Sequence, residues 1–214
     1  MEKKIILVGD IISSTKIDSE DRISLQKKLM EVLNKLNYED EHLISPYKIA
    51  FGDEFQAVFN KANDIFKNIF FILESLFPEK ARFSIGIGAI DSPIDKQTPL
   101  KMYGPAFYSA RKGMDELKKN RHLYIIKGKN VLNMEFINQV LYLISYISLK
   151  WERKDLQILC MLLDEEPVKI ISKKTKIPSK TVYRRIYTRR LRNIIKLFNE
   201  ITLLLNKSLI DTCI

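Results

Sequence analysis

The apolar positions along the chain change period several times, and each change marks an element. Residues 3–8 form a compact β-branched run that stops at Gly9-Asp10, which predicts a buried strand ending at a functional edge. Residues 22–36 carry apolar side chains at 25, 29, 32, 33 and 36, one stripe on a helix, with Ser19 as its candidate N-cap. Residues 47–51 and 55–59 are short strand-like runs. The Gly52-Asp53-Glu54 segment between them is a tight-hairpin signal. Residues 62–76 predict a strongly apolar helix that stops before Pro78, and residues 82–90 a strand containing Gly86 and Gly88. A two-proline loop over 91–100 leads to a helix at 104–119, a strand at 122–127 and a helix at 135–150. This order predicts an α+β fold, a mixed sheet with helices on one face. A hairpin in its middle excludes a purely parallel sheet.

From Trp151 onward the strand signals stop. The spacing predicts helices over 154–163 and 167–175, the second with Pro167 in its first turn. A break at Ile177-Pro178-Ser179 follows, with Ser179 as N-cap of a third helix. This is helix-turn-helix spacing. On the third helix Lys180, Tyr183, Arg184, Tyr187 and Arg190 share one side, Arg185, Arg189 and Arg192 add charge nearby, and Val182, Ile186, Leu191 and Ile194 supply core. The expected domain plan is a sheet domain over 1–130, a connecting helix over 131–150 and a helix-turn-helix domain over 151–214. The apolar run 197–205 predicts packing against the sheet domain or a dimer partner.

Charge sharpens this division. Residues 150–214 hold 15 Lys and Arg against 7 Asp and Glu, whereas the first 149 hold 21 against 19. The excess lies on the C-terminal helices, where a nucleic-acid partner would use it. Basic side chains interleaved with Thr181, Tyr183 and Tyr187 suit phosphate and base-edge contacts, so Lys180, Tyr183, Arg184, Arg185, Tyr187 and Arg189 are the expected DNA-binding residues. Cys160 and Cys213 have no metal-ligand spacing, no signal peptide is visible, and no apolar run reaches membrane-spanning length. A cytoplasmic protein without a membrane partner is expected. His42 and His122, the only histidines, read as surface or packing residues.

Two segments carry candidate chemistry, Gly9-Asp10-Ile11-Ile12-Ser13-Ser14 and Gly52-Asp53-Glu54-Phe55. Alone, Asp10 reads as a strand-end residue and Asp53 as a turn residue. If their strands are neighbours, the two carboxylates converge on one sheet edge, and like charges that close need a cation or a proton between them. Asp10, Asp53 and Glu54 are therefore candidate ligands for Mg²⁺ or Mn²⁺, whose preferred ligands are hard oxygens. Ser13 and Ser14, entering the next helix, are candidates to cradle a phosphate.

The residues and their order resemble the palm domain of the class III nucleotide cyclases over roughly residues 1–127. Gly9–Ser14 is similar to that family's first metal-aspartate segment, residues 48–59 to its second-metal hairpin, Arg82–Gly88 to its glycine-bearing strand, and Gly104–Arg111 to the helix with the catalytic asparagine and arginine. Together with Gly104-Pro105-Ala106-Phe107 and the C-terminal helix-turn-helix, the pattern resembles the SatD family. The resemblance implies a palm fold, a homodimer, and Arg111 on a nucleotide's phosphates. Departures from the cyclase pattern are Phe107 at the asparagine position, Ile49 at the base-selecting lysine, with Lys48 adjacent, and Lys101 at the base-selecting acid. A nucleotide- or metal-responsive DNA-binding regulator with a degenerate palm is the expected function. The alternative is an active metal-dependent nucleotidyl cyclase or transferase using the two aspartates.

Overall fold

A computed structural model describes residues 2–12, 18–120 and 122–210. In chain order the elements are β1 (Lys4–Ile11), α1 (Ser19–Glu39), β2 (Leu43–Phe51), β3 (Glu54–Phe59), α2 (Ile65–Leu76), β4 (Ala81–Gly88), α3 (Pro105–Lys119), β5 (Tyr124–Gly128) and α4 (Met134–Ser148). Four further helices follow: α5 (Arg153–Leu163), α6 (Val168–Thr175), α7 (Ser179–Thr188) and α8 (Leu191–Leu209).

The five strands form one mixed sheet in the order β2-β3-β1-β4-β5. β1 runs antiparallel to both β3 and β4, β2 pairs antiparallel with β3, and β5 is parallel to β4. The first four strands and two helices are thus a split β-α-β-β-α-β unit, which agrees with the palm-type α+β arrangement expected from the sequence. The β2–β3 turn is Gly52-Asp53, and Gly52 takes φ +61°, a value glycine adopts without a Cβ penalty.

The expectation of helices on one face is wrong, because the sheet is buried on both. Ile5, Leu7 and Ile11 of β1 belong to one core with side chains of α1, α2 and α4, while Ile6 and Val8 join Ala106, Ala110 and Met114 of α3 on the other face. The continuous apolar run of β1 is the mark of such a doubly covered strand. The α3 face depends on small residues: a Cβ on Gly86 would lie 2.2 Å from the Ala106 carbonyl oxygen. Ser84 Oγ, on the same face of β4, donates to the Ala110 carbonyl at 2.6 Å.

The C-terminal helices share the first core rather than standing apart from it. Phe198 of α8 packs on Phe66 and Phe70 of α2 at ring distances of 4.4 and 5.1 Å, and Trp151 packs on Phe70. Asn206 Oδ1 accepts the Ala62 backbone N–H at 2.8 Å. The apolar run near the C-terminus therefore covers the sheet unit, as one of its two expected roles.

Helix ends differ from the sequence reading in four places. Asp18 and Pro178, rather than Ser19 and Ser179, occupy the N-cap positions of α1 and α7, and neither makes a side-chain cap bond. Pro167 stands at the N-cap of α6 instead of inside its first turn. The third basic helix stops at Thr188, because Arg190 adopts φ +55° and starts α8. Arg190 therefore leaves the helical face it was expected to share, and its guanidinium lies 4.8 Å from the centre of the Tyr187 ring.

Candidate functional site

Alternation along β1 puts Asp10 on the α3 face with Ile6 and Val8. In the ladder its direct neighbours are Glu54 of β3 and Arg82 of β4. Asp10 is buried, and Arg82 Nη1 donates to its Oδ2 at 3.2 Å. From α3, Lys118 Nζ lies 3.4 Å from Asp10 Oδ1 and 3.4 Å from Glu54 Oε2. Arg111, two helical turns earlier, reaches Glu54 Oε1 at 3.8 Å from a largely solvent-exposed position. Asp53, at the turn, keeps one buried carboxylate oxygen, Oδ2, without a hydrogen-bond partner among the described residues. The structure thus gathers Asp10, Glu54 and Arg111 at one edge, with Asp53 next to them. Ser13 and Ser14 lie outside the described residues.

Burial raises the Asp10 carboxyl above its ordinary range; the Lys118 ammonium opposes this, and the like charge of Asp53 adds to it. Burial pulls the Lys118 ammonium down, but Asp10 and Glu54 outweigh that and leave it raised. The pair is mutually stabilising.

Hard oxygen donors suit Mg²⁺ or Mn²⁺, yet this donor set does not fit a resident divalent ion. The Lys118 ammonium already sits between Asp10 and Glu54, where such an ion would bridge them. Three carboxylates (Asp10, Asp53, Glu54) face three cations (Arg82, Lys118, Arg111), so the edge carries no net charge to attract another cation. Among the described residues no group of three or more His, Cys, Asp or Glu side chains is placed to hold a metal.

Beside this edge, Val8, Gln56, Met102, Phe107 and Arg111 help line a cavity of about 130 Å³. That is below the roughly 300–1,000 Å³ of ordinary small-molecule sites. Phe107 supplies part of its wall at the family's asparagine position. Gln56 is buried and donates to the Pro99 carbonyl at 3.0 Å. Ile49 packs against the opposite core, whereas Lys48 pairs with Gln56 across irregular β2–β3 pairing and so shares the cavity's face. The β2–β3 register shifts between Ile49 and Phe51, next to this pair.

The basic C-terminal helices divide into two sets. Lys180, Tyr183, Arg184 and Tyr187 are exposed on α7. Arg185 and Arg189 turn inward instead. Arg185 Nη1 is 2.7 Å from Asp155 Oδ1 and its Nη2 is 2.8 Å from Glu152 Oε2; Arg189 Nε is 3.3 Å from Asp155 Oδ2. Asp155 is fully buried at the start of α5. These two arginines tie α7 to α5 through ion pairs, unlike the exposed side chains of the same helix. Sequence reasoning also missed Lys118 and Arg82. Lys118 was within reach, since it lies seven residues after Arg111 and so on the same side of α3.

A family model described as the SatD family matches residues 4–200. The chain belongs to the SatD family. No curated protein matches this SatD-family chain. Among solved structures, one similar to it is the catalytic core of a rhodopsin-guanylyl cyclase with converted specificity in complex with ATPαS. That structure is 11% identical, with 56% of this chain and 83% of that chain covered and a TM-score of 0.40. Another is the GGDEF domain of TpbB or YfiN from Pseudomonas aeruginosa, at 15% identity, 64% and 83% coverage and a TM-score of 0.39. Among the described residues of the SatD-family chain, no helix is long and apolar enough to cross a membrane.

Proposed function

We propose that this chain is a DNA-binding regulator in which α6 and α7 form a helix-turn-helix and the palm unit has lost metal-dependent chemistry. The observation that carries the reading is the division of the α7 cations. Arg185 and Arg189 fasten the helix to buried Asp155, while Lys180, Tyr183, Arg184 and Tyr187 stay exposed on it. A helix held at its base by ion pairs and presenting cations between aromatic rings suits a groove of duplex DNA. The palm unit supplies a rigid platform through α2 and α8. Arg111, largely exposed beside the small cavity, can meet a phosphate group of a ligand held mostly outside that cavity, a nucleotide being the class the resemblance implies. The protein acts as a cytoplasmic homodimer in this reading, since a two-fold protein matches two half-sites.

A second reading, a metal-dependent nucleotidyl enzyme, draws on the unpartnered Asp53 Oδ2 beside Asp10. It requires Lys118 to leave the position it holds between Asp10 and Glu54.

Fluorescence anisotropy with labelled genomic duplexes at several salt concentrations tests the main reading. The protein is expected to bind at low salt, with log K falling linearly against log salt. Lys180→Ala with Arg184→Ala is expected to weaken binding at least about tenfold and to reduce the salt slope by about 2, one unit per lost phosphate contact. Wild-type protein with no anisotropy change at low salt, or a double variant with an unchanged slope, would reject the assignment.

A further inference from the structure

Helix α4 presents an unusual outer face. Between Glu135 and Lys150 no residue is charged. Its inner side chains, Ile137, Leu141 and Ile144, are buried in the core. Phe136, Val140, Leu143 and Ile147 follow one another at helical spacing on the outer side, flanked by Tyr146. Phe136, Leu143, Tyr146 and Ile147, with Leu132 just before the helix, are 39–69% exposed. Together they leave on the order of 500 Å² of apolar side chain in solvent, the scale of a binding patch rather than of scattered surface residues. A standard interface buries about 800 Å² per partner and is about 65% apolar in its core, so a patch of about 500 Å² is what one side requires.

We infer that α4 is the homodimer interface, packed antiparallel against α4 of a second copy across a two-fold axis at Leu143. The charges select this occupant. Glu135 precedes the uncharged stripe and Lys150 follows it, roughly 22 Å apart at the helical rise. Leu143 stands midway between them. Antiparallel packing about Leu143 sets each Glu135 beside the other copy's Lys150 and forms two equivalent ion pairs, as an isologous interface demands. Parallel packing would place like charges together. Lys150 is already held along the stripe, with Nζ 3.2 Å from the Tyr146 hydroxyl and 4.5 Å from the centre of its ring. The inference deepens the homodimer part of the proposed function, and its test requires no DNA.

The test is sedimentation equilibrium of the full chain, with circular dichroism melts as a folding control. Wild type is expected as a dimer at about 20 μM. Leu143→Glu, at an exposed position, is expected to be a folded monomer at the same concentration. Glu135→Lys alone and Lys150→Glu alone should each weaken the dimer by roughly tenfold, because each creates two like-charge pairs, and the combined exchange should restore it. A monomeric wild type, or a dimer untouched by Leu143→Glu, would overturn the interface. Failure of the combined exchange to restore association would overturn the antiparallel register. Loss of DNA binding with the dimer intact would speak only to the functional proposal.

Discussion

Asp155→Ala is expected to destabilise the folded chain by about 3 kcal/mol, near the lower end of what removing one partner from a buried ion pair costs. Asp155 is fully buried, and its two oxygens lie 2.7 and 3.3 Å from the guanidinium groups of Arg185 and Arg189. It also accepts the Glu152 backbone N–H at 2.9 Å, so the substitution removes half of a capping box, and about 1 kcal/mol of that total comes from the lost cap. Both arginines remain partly hydrated after the change, which holds the total below the upper end of the range. For a chain of this length each kcal/mol moves the melting temperature by about 2–4 °C, so a fall of roughly 6–12 °C is expected. Asp155→Asn should lose less, because it keeps the shape and one acceptor. Urea unfolding at neutral pH measures both. A loss under about 1 kcal/mol would show that Arg185 and Arg189 are solvated side chains after all, and would return them to the set available for DNA.

That contrast marks how far the sequence could be read. The elements were legible because each rests on a local signal. Residues 5–8 are apolar without interruption, Gly52-Asp53 is a hairpin turn, and the stripe from Leu25 to Leu36 has helical spacing. Asp10, Asp53 and Glu54 stood out because two Gly-Asp segments could converge on one sheet edge, and Arg111 stood out through the resemblance to the cyclase helix. What stayed hidden depends on who faces whom. Arg82 looked like the start of a strand, and its role follows only from the β1–β4 register that sets it across from Asp10. Arg185 and Arg189 counted as surface charge until Asp155, 30 residues upstream of Arg185, came to lie beneath them. The covering of both sheet faces was implicit in the unbroken apolar run of β1, which lacks the alternation of a half-exposed strand. The helix break at Arg190 carries no sequence cue, since arginine is not a residue that favours positive φ.

Replacing Lys118 by Met should turn the carboxylate edge into a divalent-cation site. In the native protein one ammonium neutralises Asp10 and Glu54 together, each at 3.4 Å, so Mn²⁺ must displace a tethered cation to enter. Wild-type melting temperature is therefore expected to stay constant within about 1 °C on adding Mn²⁺ or a chelator. Lys118→Met keeps the aliphatic length of the side chain but leaves Asp10, Glu54 and Asp53 with only Arg82 and Arg111, a net negative edge open to a cation. Mn²⁺ at about 100 times its dissociation constant would then stabilise the variant by about 2.7 kcal/mol, roughly 5–10 °C. The pH dependence gives an independent reading. Asp10 is an acid whose folded pKa is raised, so the folded state holds its proton more tightly than the unfolded state does. Its contribution to stability is accordingly lost as pH rises from the ordinary value of 3.8 through the raised one. Lys118 opposes that rise, and removing it pushes the Asp10 carboxyl higher still. Without metal, the variant's deficit against wild type should be smallest near about pH 4 and should grow towards neutrality. Thermal melts of both proteins across this range, with and without Mn²⁺, decide the matter. A wild type stabilised by Mn²⁺ as much as the variant would mean that Lys118 yields readily to metal, and the enzyme reading would then take precedence over the degenerate palm.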